Sequence, residues 1–140
     1  MAKQTSPSAI AVAQALAPAL SAPGPEEIRA QLEKVLASRL FARSTRLCRF
    51  LRFSVEESLA GNGERLKEQI IGVEVFDRKS DYDPRIDPIV RVEARRLRAK
   101  LKAYYASPGR GDSIAIGLPK GAYLPFSRPA PRRRKARARH

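Results

Sequence analysis

The chain has 140 residues, of which 28 are Lys or Arg and 14 are Asp or Glu, so its formal net charge is +14. This length predicts one domain, and the charge favours a polyanionic partner, with nucleic acid ahead of an anionic membrane surface. The lone Cys48 excludes an internal disulfide and a zinc site built only from cysteines. The lone His140 excludes a histidine-based catalytic triad and a histidine-based metal site. The paired acids Glu26–Glu27 and Glu56–Glu57 diverge by about 100° on a helix, so neither pair can act on one reacting group. We therefore expect neither an enzyme nor a cofactor nor a small-molecule substrate.

The first 24 residues are rich in Ala, Pro and Ser and contain one charge, Lys3. We interpret residues 1–24 as a disordered extension, with a short nascent helix over Ala9–Leu16. A weak secretory signal is the alternative interpretation, although Gln14 and Pro18 interrupt its apolar centre. The sequence contains no apolar run of about 18 residues, so we predict no transmembrane helix.

Two helices are predicted next. Pro25 begins the first, with Glu26 and Glu27 in the turn where the helix dipole favours anions, and this helix ends near Ser38. The second begins at Ser44 or Thr45 and runs to about Ala60, where Gly61, Asn62 and Gly63 end it. The residues predicted to face the core are Ile28, Leu32, Val35, Leu36, Leu47, Phe50, Leu51, Ser54, Val55 and Leu59. Cys48 is interpreted as a small core residue and not as a reactive thiol.

The segment Lys67–Phe76 is ambiguous because its β-branched residues favour a strand, whereas Ile70, Val73 and Phe76 fit one face of a helix. Its position before a longer helix favours the helical interpretation. The connection Asp77–Ile86 is polar and rich in turn residues. Its acids Asp81, Asp83 and Asp87 lack the Gly and Glu of a calcium loop, so they are interpreted as turn and capping residues.

The most informative stretch is Asp87–Tyr105, which is predicted to be a long helix with Asp87 as its N-cap and Pro88 at its first position. The predicted core face contains Val90, Ala94, Leu97, Leu101, Tyr104 and Tyr105. A separate basic stripe consists of Arg91, Arg95, Arg98 and Lys102, at spacings of three and four residues. Arg96 and Lys100 lie further round the helix, and the small residues Val92, Ala99 and Ala103 would allow close approach to a surface. A face with charges of one sign favours contact with nucleic acid, although a solvated surface helix is the simpler alternative.

A β-hairpin is predicted after this helix. Ser113–Leu118 alternates between apolar and small residues, Leu118–Gly121 fits a type I turn, and Ala122–Phe126 returns as the second strand. Lys120 is expected at the tip. The chain from Ser127 onward contains seven cations, and we interpret residues 127–140 as a disordered tail in which Arg132, Arg133, Arg134 and Lys135 neutralise phosphates without reading sequence.

These elements predict a mainly α fold with a small C-terminal β-hairpin, in which residues 25–126 form a winged helix-turn-helix preceded by an extra N-terminal helix. The stretch VRVEARRLRAKL, followed by a strand and PKGAY, resembles the C-terminal effector domain of OmpR/PhoB-type regulators. Leu66–Phe76, DPRIDPIVRVEARRLRAKL and LPKGAYLP are together more closely similar to winged-helix regulatory modules of bacterial proteins, which often precede sensor or repeat domains. The turn is one residue shorter than the usual Arg-Gly-x-Gly-Tyr of the OmpR/PhoB type.

The resemblance implies sequence-specific binding of double-stranded DNA and control of transcription, with the long helix in the major groove. By position, Arg91, Arg95, Arg96 and Arg98 would contact DNA from this helix, together with Ala99 and Lys102, and Lys120 would do so from the wing. RNA polymerase or a second copy of the chain would be a further partner, with no membrane involved. The expected location is the cytoplasm, at the nucleoid.

Two other functions remain open at this stage. A sequence-independent RNA-binding or nucleoid-associated protein would need only the charge. A protein-interaction module would instead use exposed apolar side chains, with Ile89 and Val92 as the candidates.

Overall fold

The computed structural model describes residues 22–131, which form five α-helices followed by a two-stranded antiparallel sheet. The elements are α1 Pro25–Leu36, α2 Arg39–Ala42, α3 Thr45–Leu59, a 3₁₀ turn at Gly63–Arg65, α4 Glu68–Phe76, α5 Ile89–Ala106, β1 Ile114–Gly117 and β2 Phe126–Pro129. The mainly α architecture with a C-terminal hairpin is therefore confirmed. Residues 1–21 of the predicted extension (1–24) and residues 132–140 of the predicted tail (127–140) lie outside the described residues. Within the described part of the chain, no helix is long and apolar enough to cross a membrane.

The first helix begins as predicted, because Pro25 occupies its first turn and the Glu27 carboxylate accepts a hydrogen bond from the Gly24 N–H at 2.8 Å. Its predicted core residues Ile28, Leu32, Val35 and Leu36 are all buried, and Gln31 is buried beside them. The helix ends two residues before Ser38. A short helix that was not predicted, α2, follows and buries the side chain of Phe41 completely.

The core is formed mainly by α3 packing against α4 and α5. Leu47, Phe50, Leu51, Ser54 and Val55 are buried on α3, as the apolar pattern predicted, whereas Leu59, also predicted to face the core, is half-buried. The ring of Phe50 meets the ring of Phe76 edge to face, with 5.3 Å between centroids, which is a favourable aromatic geometry. Cys48 lies half-buried against this core and its thiol donates to the Phe41 carbonyl at 3.2 Å.

The ambiguous segment is a helix, α4, but its buried face differs from the predicted one. Ile71, Gly72, Val75 and Phe76 are buried, whereas Ile70 and Val73 are only half-buried. The reason lies in the following loop, whose Tyr82 ring packs directly over Gly72 and covers that side of the helix. Asp77 ends α4 in the left-handed conformation, with φ at 56°.

The long helix α5 begins two residues after the predicted cap. Pro88 occupies the N-cap position that was predicted for Asp87, although the Asp87 carboxylate still accepts a hydrogen bond from the Ile89 N–H at 3.2 Å. The predicted core residues Val90, Ala94, Leu97, Leu101 and Tyr104 are buried, and Tyr105 is half-buried. The helical periodicity of the sequence therefore identified the inward face of α5 correctly.

The hairpin is present, but its second strand is displaced. The strand pairs run from Ile114 opposite Pro129 to Gly117 opposite Phe126, so β2 begins where the predicted strand ended. The predicted return strand is instead part of the connection, because Tyr123 packs against Phe50 in the core with 6.5 Å between ring centroids. The turn is also one residue later than predicted: the Ala122 N–H bonds to the Pro119 carbonyl, and Gly121 has a φ of 79°. The predicted disorder from Ser127 is wrong for Ser127, Arg128 and Pro129, which lie in β2.

Candidate nucleic-acid interface

The exposed side of α5 presents basic and small side chains. This outer face consists of Val92, Arg95, Ala99, Lys102, Ala103 and Ala106, all of them exposed except the half-buried Val92. The side chains of Arg95 and Lys102 make no hydrogen bond or ion pair with any other described residue. The outer face therefore has two cations that are available to bind a partner and no acid. The small alanine side chains at its centre would allow a partner to approach the helix closely.

The single acid of α5, Glu93, faces inward. It is 3% exposed, and its carboxylate accepts hydrogen bonds from Arg46 of α3 at 3.2 Å and from Arg96 at 3.3 Å. A buried carboxylate needs such partners, because an unpaired charge is costly away from water. The arrangement removes the only negative charge from the outer face and fixes two guanidinium groups at one edge of it.

The predicted basic stripe is divided between two roles. Arg95 and Lys102 point to solvent, whereas Arg91 and Arg98 bind other parts of the chain. Arg91 pairs with Glu68 at the start of α4, at 2.8 Å, and also donates to the Pro84 carbonyl at 3.1 Å. Arg98 donates to the carbonyls of Pro119 and Ala122, at 3.1 and 3.2 Å. Sequence spacing alone placed the four cations on one stripe but could not show which of them had intramolecular partners.

Lys120 lies in the turn that Arg98 fastens to α5. Its side chain is exposed and forms no hydrogen bond or ion pair among residues 22–131. Because both carbonyls that flank the turn bind Arg98, the backbone at Lys120 is held beside the middle of α5. The turn is anchored from its other side by Tyr123, whose hydroxyl donates to Glu68 at 3.4 Å and whose pKa is raised mainly by burial.

Two other groups of residues were predicted to make contacts. Arg132, Arg133, Arg134 and Lys135 lie outside the described residues. Ile89 and Val92, the apolar residues suggested for a protein contact, are both half-buried; the large apolar side chains that are exposed in the described part of the chain are Ile86, Leu124 and Phe126.

Of the three loop acids, Asp83 and Asp87 accept hydrogen bonds from backbone N–H groups, Asp83 from Arg85 within the loop and Asp87 from Ile89 at the start of α5. Asp83 accepts hydrogen bonds from Arg85, which lower the pKa of its carboxyl group, and Asp87 pairs with Arg78 at 2.8 Å. Among residues 22–131 no cluster of His, Cys, Asp and Glu could hold a metal ion. Burial raises the pKa of the Cys48 thiol, so this cysteine has little thiolate at neutral pH.

The cations contributed by the α2–α3 region were not predicted from the sequence. Arg43 and Arg46 lie across a groove from Arg96 and Lys100 of α5. The only indication in the sequence was the isolated Glu93 in an otherwise basic helix, and it did not reveal which distant residue would pair with it.

Searches with this chain against protein-family models, curated proteins and solved structures found no match.

Proposed function

We propose that the chain binds double-stranded DNA as a transcription regulator, with α5 as the recognition helix in the major groove. In this proposal α4 and α5 form the helix-turn-helix, and the β1–β2 hairpin with its connection forms the wing. Helix α1 is then an addition that precedes the winged helix-turn-helix. The proposal includes no catalytic step.

The observation that best supports the proposal is the outer face of α5. An 18-residue helix with its core side buried presents several alanines and two cations whose side chains have no partner among residues 22–131, while its one acid is buried. A helix of this kind fits the major groove of B-DNA, which is about 12 Å wide, and an arginine can bind guanine through two hydrogen bonds. Arg95 is the residue we expect to read a base, with Lys102 and Arg96 beside it and Ala99 allowing close approach.

The wing is proposed to contact the DNA backbone or the minor groove through Lys120. Arg91 and Arg98 are positioning residues in this account, since their observed partners are α4 and the wing turn. Arg91 orients α4 and Arg98 orients the wing turn relative to the recognition helix. Either arginine would have to break its hydrogen bonds to these segments before it could contact DNA directly.

Sequence-independent binding of nucleic acid is the second candidate. It is favoured by the engagement of Arg91 and Arg98, which reduces the number of cations available on α5 for reading bases. A protein that only neutralises phosphates does not need more cations on α5 than the ones that remain available.

Competition binding at two salt concentrations separates the two candidates. The full chain is titrated with a duplex carrying a selected site, a random duplex and a structured RNA of equal length. A sequence-specific regulator retains a preference for its site at about 0.15 M salt, whereas a charge-only binder loses affinity for all three nucleic acids together. Equal binding of the selected and random duplexes at both salt concentrations would refute the sequence-specific proposal.

A further inference from the structure

A second basic surface adjoins the outer face of α5. It is a shallow groove of about 680 Å³ between α5 and the junction of α2 with α3. Ala99 and Ala103 form one wall of this groove and also belong to the outer face of α5. The groove and the proposed recognition surface are therefore continuous.

Four cations and one acid line the groove. The cations come from three segments of the chain: Arg43 follows α2, Arg46 lies in the first turn of α3, and Arg96 and Lys100 lie on α5. The acid is Glu93, which is buried beneath Arg46 and Arg96 and binds both. The groove thus has an excess of positive charge at its surface, and the one compensating charge lies below it.

Several donors in the groove remain available. Arg46 and Arg96 each use one terminal nitrogen on Glu93, which leaves further N–H groups of each guanidinium free of protein partners in the described residues. Lys100 donates to the Leu40 carbonyl at 2.8 Å, which holds its ammonium group in the groove. The side chain of Arg43 is exposed and has no hydrogen-bond or ion-pair partner among residues 22–131. Fixed guanidinium groups with spare donors match the geometry of phosphate oxygens.

We infer that this groove binds the phosphate backbone of the DNA strand that borders the major groove occupied by α5. The inference rests on the proposed function of α5. A helix seated in the major groove has a phosphate strand along each side, and the wing with Lys120 lies at one edge of α5 while this groove lies at the other. If each edge of α5 contacts one phosphate strand, the two contacts fix the position and orientation of α5 in the major groove. They do so without reading the base sequence.

Arg43 is the residue for the test, because it is exposed and has no structural partner to lose. We would compare Arg43→Gln and Arg43→Glu with Arg39→Gln, a matched control on α2 that removes the same charge outside the groove. The affinity of each full-length variant for a selected DNA duplex and for a random DNA duplex is measured over a range of salt concentrations, and the measurement is repeated with a duplex RNA. Melting temperatures establish that all variants are folded.

The expected result is that Arg43→Gln flattens the slope of log K against log salt by about 1 unit and weakens selected and random duplexes by the same factor. Arg43→Glu should weaken both duplexes further, and Arg39→Gln should match the parent. If Arg43→Gln and Arg39→Gln are indistinguishable while the parent binds DNA, the groove does not contact the backbone and the function of α5 is unaffected. A loss seen with duplex RNA and not with DNA would also overturn the inference, and a parent that binds no duplex would overturn both proposals.

Discussion

At the scale of single residues, the fold depends on close contacts that the chemical type of a residue does not reveal. Gly72 is an example, because a glycine in a helix costs about 1 kcal/mol relative to alanine and its replacement ordinarily stabilises. A Cβ at this position would lie 2.2 Å from the Tyr82 ring, which is buried and whose hydroxyl donates to the Asp87 carbonyl at 3.1 Å. The ring cannot move aside without exposing Gly72 and losing that hydrogen bond.

We therefore predict that Gly72→Ala lowers the melting temperature, despite the gain in helix propensity. The expected cost is about 1–3 kcal/mol, the usual range for overpacking a buried contact. Gly111→Ala is the matched control, since a Cβ there meets nothing within 4 Å and its φ is not in the left-handed region. Thermal unfolding of both variants checks the prediction. A Gly72→Ala variant as stable as the parent would show that the packing of the Tyr82 ring does not require a glycine at this position.

Arg98 and Arg95 lie three residues apart on α5 and are predicted to respond differently to replacement by alanine. Arg98 binds two backbone carbonyls of the wing turn, so Arg98→Ala should lower stability by about 1–2 kcal/mol and weaken binding to every duplex by releasing Lys120. Arg95 has no partner among the described residues, so Arg95→Ala should leave the melting temperature unchanged.

Melting temperatures and affinities for a selected and a random duplex, measured on both variants, distinguish these roles. If Arg98→Ala alters the preferred sequence and leaves stability intact, then Arg98 reads a base and is not a positioning residue.

At the scale of secondary-structure elements, α1 is docked by a polar cluster that joins it to the end of α5 and to β1. Gln31 donates to the Asp112 carboxylate at 2.8 Å and to the Tyr105 hydroxyl at 3.1 Å, and that hydroxyl accepts the Ile116 N–H at 2.9 Å. Tyr104 also donates to Asp112, and burial together with this bond raises the pKa of Tyr104. Burial acts to raise the pKa of Asp112 as well, but hydrogen bonds from Gln31, Tyr104 and Lys34 outweigh it, so the pKa is lowered.

This cluster makes the stability of the domain sensitive to acid. Because the pKa of Asp112 is lower in the folded state, its contribution is complete above the unfolded value, near 4, and is lost as the pH falls through the folded value. We expect Asp112→Asn to be less stable than the parent by about 1–2 kcal/mol at pH 7. The difference should shrink as the pH falls below about 4.

Thermal unfolding of the parent and Asp112→Asn between neutral pH and about pH 3 measures this difference directly. A constant difference over the whole range would mean that the charge of Asp112 does not contribute to docking α1.

The elements themselves were largely predictable from the sequence, and the exceptions have physical causes. Helices α1, α3 and α5 follow from apolar periodicity and end signals, which are local properties, whereas α4 was predicted from its position before a longer helix and its buried face was not predicted correctly. Helix α2 was missed because four residues with one buried aromatic show no periodicity. The second strand was displaced because Tyr123 packs into the core, a long-range contact that overrides local alternation.

The candidate interface was predictable only where it depends on local helical spacing and not on long-range contacts. The positions of Arg95, Ala99 and Lys102 on one face of α5 follow from helical spacing. The engagement of Arg91 with Glu68, and the meeting of Arg46 with Glu93, depend on how distant segments pack. Spacing within one helix contains no information about such partners.

At the scale of the whole molecule, the C-terminal residues from Arg132 onward contain six cations and are predicted to add affinity without specificity. The deletion that tests this prediction starts at Arg132, because Ser127, Arg128 and Pro129 belong to β2. If about four of the six cations contact phosphates, deletion of residues 132–140 should flatten the salt slope by about 3–4 units.

The ratio of selected-site to random-site affinity should change by less than about threefold, since phosphate contacts are alike on both duplexes. The melting temperature should not change, because the deletion leaves both strands intact. A truncated chain that keeps its salt slope, or that loses its preferred site, would contradict the role given to this segment.

The central claim is that the outer face of α5 reads duplex DNA, and the most direct test is selection from a random duplex pool. The full-length parent and Arg95→Ala are each used to select bound duplexes at about 0.15 M salt, and the enriched sequences are compared. The account predicts one motif for the parent and, for Arg95→Ala, relaxed preference at one position with an affinity loss of about 1–3 kcal/mol. Enrichment of no motif by the parent, or of the same motif with the same affinity by both proteins, would contradict it.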